Sequence, residues 1–231
     1  MKSRLVSCLF VLLALCSALR AEESAFWATT SLGFESAYVS YGTKFSENTL
    51  MPKLDFGRGD LYAGVWGYLP IDKGGGGYVF DGEWDFFGGR TLKLNDVFSL
   101  DLGGTLYQYP GITTDEFTFE GSLWLTANVP FKPTAKLYYD FTIENWIGEI
   151  AFSREVALVE KVTLMSSARV GFRRPLQSDP WLYAAVQLDL AYPLGEEGRL
   201  LIGPRITNNS DNDSVGHGVE TWWGVAAVRS W

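Results

Sequence analysis

The chain has 231 residues, of which 47% are hydrophobic and 15% aromatic, and its net charge is −8. An acidic chain without basic clusters argues against nucleic acid as a partner. Its two cysteines, Cys8 and Cys16, lie in a segment that reads as a leader, so the remainder of the chain has no disulfide framework and no thiolate to bind metal or attack a substrate.

In chain order, that leader comes first. Lys2 and Arg4 precede an apolar run from Leu5 to Leu19, with small residues near Ala21. This is the layout of a secretory signal peptide cleaved after Ala21, too short to serve as an anchor. The reading is a signal peptide over 1–21 and one domain over 22–231. The leader removes three cations (Lys2, Arg4, Arg20) and no acid, which moves the net charge from −8 to −11. No later apolar run approaches the ~20 residues of a spanning helix. Passage through a membrane would then require a closed barrel.

Twelve segments of strand character come after it, near 26–40, 48–57, 60–70, 78–90, 97–109, 115–129, 134–144, 147–156, 162–173, 181–193, 199–208 and 220–231. Each alternates apolar and polar residues, the mark of a strand with two unlike faces. In 115–129, Phe117, Phe119, Leu123 and Leu125 share one parity, and Glu116, Thr118, Glu120 and Ser122 the other. In 181–193, Leu182, Ala184, Val186, Leu188, Leu190 and Tyr192 form an unbroken apolar row. The connections alternate too. Tight turns at 57–60, 130–133 and 194–198 face looser, more polar stretches at 41–47, 71–77, 110–114, 174–180 and 208–219. An even strand count with short turns on one side and longer loops on the other predicts an outer-membrane barrel. A soluble lipocalin alternates as well, with its faces inverted, so parity alone leaves both open. Long strands, an aromatic end and girdle-like aromatics (Tyr38, Trp181, Tyr192, Trp223, Trp231) favour the membrane. The expected fold class is all-β: an antiparallel transmembrane β-barrel of about 12 strands.

Residues 26–90 resemble a bacterial outer-membrane family, the TorF-like porins or conserved hypothetical Gcw family. The resemblance is carried by "SLGFESAYVSYGTKFS" (31–46), "LYAGVWGY" (61–68) and "EWDFFGG" (83–89). Ser36, Tyr38 and Gly42 match the family's Ser-x-Tyr-x-x-Arg-Gly, with Tyr41 where that pattern has arginine; Glu83, Asp85 and Gly89 keep a Glu-x-Asp-x-x-x-Gly spacing. Beyond residue 90 only the strand rhythm agrees. The resemblance implies an outer-membrane barrel with a pore and brings no catalytic residue.

The polar parity carries the chemistry. Asp81, Glu83, Asp85, Asp101, Glu116, Glu120 and Asp140 fall on strands four to seven, with Lys136. Arg169, Arg173, Arg199 and Arg205 fall on strands nine and eleven, with Asp189 between them. One reading is an acidic wall facing an arginine-bearing one, a transverse field that filters small polar solutes. The other is that these charges pair to fill a polar interior, since a confined charge needs a partner. The expected pore-lining residues are Glu83, Asp85, Glu120 and Asp140 against Arg169 and Arg205, near mid-strand.

Other motifs carry less. His217, the sole histidine, lies three residues after Ser214, so a rim enzyme acting on lipids through a histidine base is an alternative. A structural or adhesive barrel is another. Asp211, Asp213 and Glu220 lack the ordered spacing of a calcium loop, and Gly74–Gly77 has no helix behind it to bind phosphate. Arg58-Gly59-Asp60 reads as a hairpin turn. The expectation is a narrow passive porin rather than an enzyme, with no cofactor and no metal. Its partners are outer-membrane lipid, small polar solutes and the barrel-assembly machinery. In "ETWWGVAAVRSW", Thr221, Trp223, Val225, Ala227 and Trp231 share the lipid parity. Trp231 resembles the aromatic assembly signal, and Arg229 is expected to snorkel to headgroups.

Overall fold

The computed structural model describes residues 25–71, 81–110, 116–176, 179–210 and 218–231; the proposed leader lies outside them. Alternation without helix signals gives strands throughout: β1 (Phe26–Ser40), β2 (Thr43–Arg58), β3 (Leu61–Pro70), β4 (Glu83–Lys93), β5 (Phe98–Gln108), β6 (Phe117–Ala127), β7 (Thr134–Asp140), β8 (Asn145–Val159), β9 (Val162–Pro175), β10 (Trp181–Leu194), β11 (Gly198–Asn209) and β12 (Gly218–Ser230). Each strand pairs antiparallel with the next, and β1 pairs with β12 to close a twelve-stranded barrel. Closure leaves no strand edge exposed. Trp231 extends the seam beyond β12: its N–H donates to the Ala28 carbonyl (2.9 Å), and the Ala28 N–H donates to its carbonyl (3.2 Å).

The faces follow parity. Leu32, Phe86, Leu123, Ile150, Val170 and Leu188 are exposed on the outside of the wall. In water such a surface would be strongly unfavourable, at about 25 cal/mol per Å² of apolar area; a bilayer is its natural solvent. Glu83, Asp85, Glu120, Asp140, Asp189 and Arg205 are buried on the inside. This arrangement is a transmembrane barrel, not an inverted soluble one.

Several local expectations change. The stretch 41–47 is not a loose loop: β2 begins at Thr43, and the turn is only Tyr41-Gly42. Both have positive φ (50° and 79°), as a two-residue type I′ hairpin turn requires. Strand β7 stops at Asp140 instead of 144, because Asp140 Oδ1 accepts the N–H groups of Thr142 (2.8 Å) and Ile143 (3.1 Å) and turns the chain. At 94–97, Asn95 Oδ1 does the same for Val97 and Phe98, each at 2.8 Å. Tyr192, Trp223 and Trp231 lie on the outer surface, as expected. Tyr38 and Trp181 do not: they are buried inside, where carboxyl and carbonyl partners satisfy their polar tips. Arg229 finds an acid rather than headgroups alone. Its Nη2 lies 3.2 Å from Glu197 in the β10–β11 turn, and its guanidinium covers the Trp231 ring at 5.2 Å.

Candidate functional site: the barrel interior

The register builds two belts of inward side chains. The first lies toward the end of the barrel that carries the β3–β4 and β5–β6 loops, opposite the chain termini. Across β3 and β4, Tyr68 stands opposite Glu83 and Trp66 opposite Asp85. Asp85 faces Tyr107, Tyr107 faces Thr118, and Glu120 faces Asp140, which faces Asn145. Ile147 then faces Arg173, and Arg173 faces Trp181. Tyr38 Oη donates to Glu83 Oε1 (3.3 Å), and Tyr107 Oη donates to Glu120 Oε1 (3.0 Å). The tyrosines stack among themselves: Tyr38 on Tyr68 with ring centroids 4.1 Å apart, and Tyr107 on Tyr109 at 6.3 Å.

The Tyr41-Gly42 tip bends into this belt. The Tyr41 carbonyl accepts Trp181 Nε1 (3.0 Å), and the Gly42 carbonyl accepts Asn209 Nδ2 (2.9 Å). The Arg173 guanidinium lies 5.5 Å from the Tyr41 ring and 5.3 Å from the Trp181 ring. A Cβ on Gly42 would come within 2.9 Å of both Asn209 and Tyr183, so only glycine lets the tip lie so close.

The second belt lies further from the loops and is made of ion pairs. Arg205 Nη1 bonds Asp189 Oδ1 (2.7 Å), and its Nε lies 3.1 Å from Glu35 Oε2. Glu149 holds Lys136 (2.7 Å), Arg169 (3.7 Å) and the Tyr183 hydroxyl (3.0 Å). Inward glycines make this packing possible. A Cβ on Gly171 would lie 2.5 Å from Tyr183 Oη, and one on Gly224 would lie 2.3 Å from the Glu35 carboxylate.

Along the β1–β7 wall these belts leave a cavity of about 800 Å³. It is lined from Tyr109 at the loop end to Trp27 at the terminus end. Its size is that of a small-molecule site. Among the described residues no three His, Cys, Asp or Glu side chains converge as a metal cage would require.

A family model described as "Bacterial protein of unknown function (Gcw_chp)" matches residues 20–165. The chain belongs to this family. The Gcw_chp match extends well past the 26–90 stretch that carried the resemblance, and it does not carry the TorF-like name. A comparison with curated proteins gives no match. Among solved structures the chain is similar in fold to the KdgM porin, with a TM-score of 0.56 at 11% identity, covering 89% of this chain and 99% of that one. It is similar to the NanC porin at a TM-score of 0.54 and 9% identity, covering 87% and 98%. It also resembles the COG4313 outer membrane channel from Pseudomonas putida F1 at a TM-score of 0.53 and 9% identity, covering 93% and 97%.

For this Gcw_chp member, the six residues expected along the pore all project inward, but not as one mid-strand constriction. Glu83 begins β4 and Asp140 ends β7, both at the loop end. Asp140 is also committed to its turn. Arg169 and Arg205 do not face the acids as free charges; Glu149 and Asp189 on neighbouring strands, and Glu35 two strands away, hold them. Arg173 is the cation set electrostatically against Glu83 and Glu120. Its polar parity marks it as inward, but nothing local marks it as the counter-charge. Asn145 and the interior tyrosines were the other omissions. Tyr107, Tyr138 and Tyr183 share parity with the polar residues, which is the signal that marks them as interior. His217, Ser214, Asp211 and Asp213 lie outside the described residues.

Proposed function

We propose that this chain is an outer-membrane porin, a narrow passive channel for small polar solutes. The observation that carries the reading is the cavity of about 800 Å³ that runs along the interior from the loop end to the terminus end. A twelve-stranded barrel is wider than the eight-stranded kind that side chains fill. The likeness of fold to the KdgM and NanC porins supports the reading. One of those structures is described as the KdgM porin in complex with disordered oligogalacturonate, a polar solute. The solute path runs past Glu83, Asp85, Glu120 and Asp140 on one wall, with Arg169 and Arg205 in the paired belt of the other. In this reading the leader sends the chain out through the periplasm, outer-membrane lipid covers the apolar wall, and the assembly machinery reads Trp231. The role is transport, not catalysis.

The test is a planar-bilayer recording of refolded protein whose folding is confirmed by heat-modifiable migration on a gel. Discrete conductance steps are expected. Folded protein that never conducts overturns the channel. Ester hydrolysis that disappears in His217→Ala would move the reading to the rim enzyme instead.

A further inference from the structure

We infer that the loop-end half of the interior is a binding site for a small organic cation, an amine that presents several N–H donors. This assignment rests on the channel reading and deepens it by naming the solute class.

Charge is the first observation. Six carboxyls line the cavity (Asp55, Glu83, Asp85, Asp101, Glu120, Asp140) against two cations, Lys53 and Arg173. Lys53 is committed to Asp55 at 2.8 Å. Arg173 is held between the Tyr41 and Trp181 rings. Deeper in the barrel, Lys136 and Arg169 are bound by Glu149. Among the described residues Glu83, Asp85 and Glu120 form no salt bridge, and Arg173 is the single cation set against these three carboxyls, in a place where confined charge calls for more.

Unmet hydrogen bonding is the second and independent observation. Among the described residues lining the cavity, Trp124 Nε1 and Arg173 Nε are buried donors with no partner and the Thr118 hydroxyl is also unpartnered, while the most buried unpartnered carboxyl and amide acceptors are Oδ1 of Asp85 and Oδ1 of Asn145. Their residues are 7% and 1% exposed, and both line the cavity. Both atoms are acceptors. A buried acceptor without a donor is costly and marks a place that a ligand or ordered water completes. An occupant that completes Asp85 and Asn145 must bring donors.

The third observation is the aromatic lining. Tyr38, Trp66, Tyr68, Tyr107 and Tyr109 surround the acids. Their ring faces attract a desolvated cation and pack against a hydrocarbon stem. The acids are spread between these rings and do not converge on one point, which suits an extended amine better than a single metal ion. An anionic solute meets the wrong net sign of charge, and a neutral sugar adds nothing to the single counter-charge of Arg173.

The experiment uses 1,4-diaminobutane as the probe on refolded protein in planar bilayers. Brief current interruptions that lengthen or multiply with concentration are expected. In Asp85→Asn with Glu120→Gln the apparent affinity should fall roughly tenfold or more, as expected for losing charged hydrogen-bond partners. Galacturonate and glucose at the same concentration should give no interruptions. Equal block by glucose, or block unchanged in the variant, overturns the site while the channel stands. If folded protein conducts nothing, the channel reading falls, and calorimetric titration of diaminobutane into the detergent-folded barrel decides the site. Saturable heat that disappears in the variant supports it, and absence of heat overturns it. Should the double variant fail to fold, Asp85→Asn alone is read the same way.

Discussion

Arg205 shows how much of the interior is structural. Its side chain is only 7% exposed and joins Glu35 on β1 to Asp189 on β10 across β11 and β12. Arg205→Met leaves two carboxylates confined without their cation and should cost about 3–5 kcal/mol, the usual penalty for removing one partner of a buried pair. Urea unfolding in vesicles measures it, and adding Glu35→Gln and Asp189→Asn should recover much of the loss. A variant as stable as the parent would show that Arg205 is dispensable to folding. Gly171 tests packing in the same belt. In Gly171→Ala the new methyl meets Tyr183 Oη, and the hydroxyl must leave Glu149. About 1–3 kcal/mol of destabilisation is expected from overpacking. Tyr183→Phe in the Gly171→Ala background should restore part of it, and no recovery would place the clash in the nearby Gly148 backbone.

At the scale of elements, the strands were legible because alternation over ten or more residues has no other simple explanation. Strands β1, β9 and β10 begin where the periodicity places them. What escaped were devices acting between residues far apart in sequence. The Tyr41-Gly42 turn looked like part of a polar loop, since its support comes from Trp181 and Asn209, over 130 residues later. Tyr38 and Trp181 looked like girdle residues because position near a strand end does not say which way a bulged or terminal residue points. Glu83, Asp85, Glu120 and Asp140 were legible as inward by parity. Their height was not, since it depends on where β4 starts and β7 stops. The tip itself is testable. Trp181→Phe combined with Asn209→Ala removes both anchors and should raise single-channel conductance or its noise as Tyr41 leaves the interior. Unchanged traces would show that the tip does not obstruct. At the other end, the Trp231 backbone pairs with Ala28. Its deletion should lower the yield of heat-modifiable barrel more than it alters the conductance of molecules that do fold. The reverse pattern would argue against an assembly role.

For the molecule as a whole, closure joins eleven marginal hairpins into one continuous ladder. Ion pairs meet the cost of the charged interior, and in the proposed outer-membrane setting lipid meets that of the apolar exterior. The two belts also lie at different heights. Among the described residues, carboxylates without a salt bridge gather at the loop end, while near the middle Arg205, Lys136 and Arg169 each have an acid. An ion entering from the loop side therefore meets a negative potential first, and one entering from the other side meets it last. In the proposed channel this asymmetry should act as a diode. In symmetric salt its current should be larger at one voltage polarity than at the other. The asymmetry should grow as salt is diluted below about 0.1 M, where the screening length passes ~10 Å and spans more of the passage. Asp85→Asn with Glu120→Gln should flatten the current–voltage curve toward a straight line. A parent channel already linear at low salt would mean that its fixed charge is balanced from end to end.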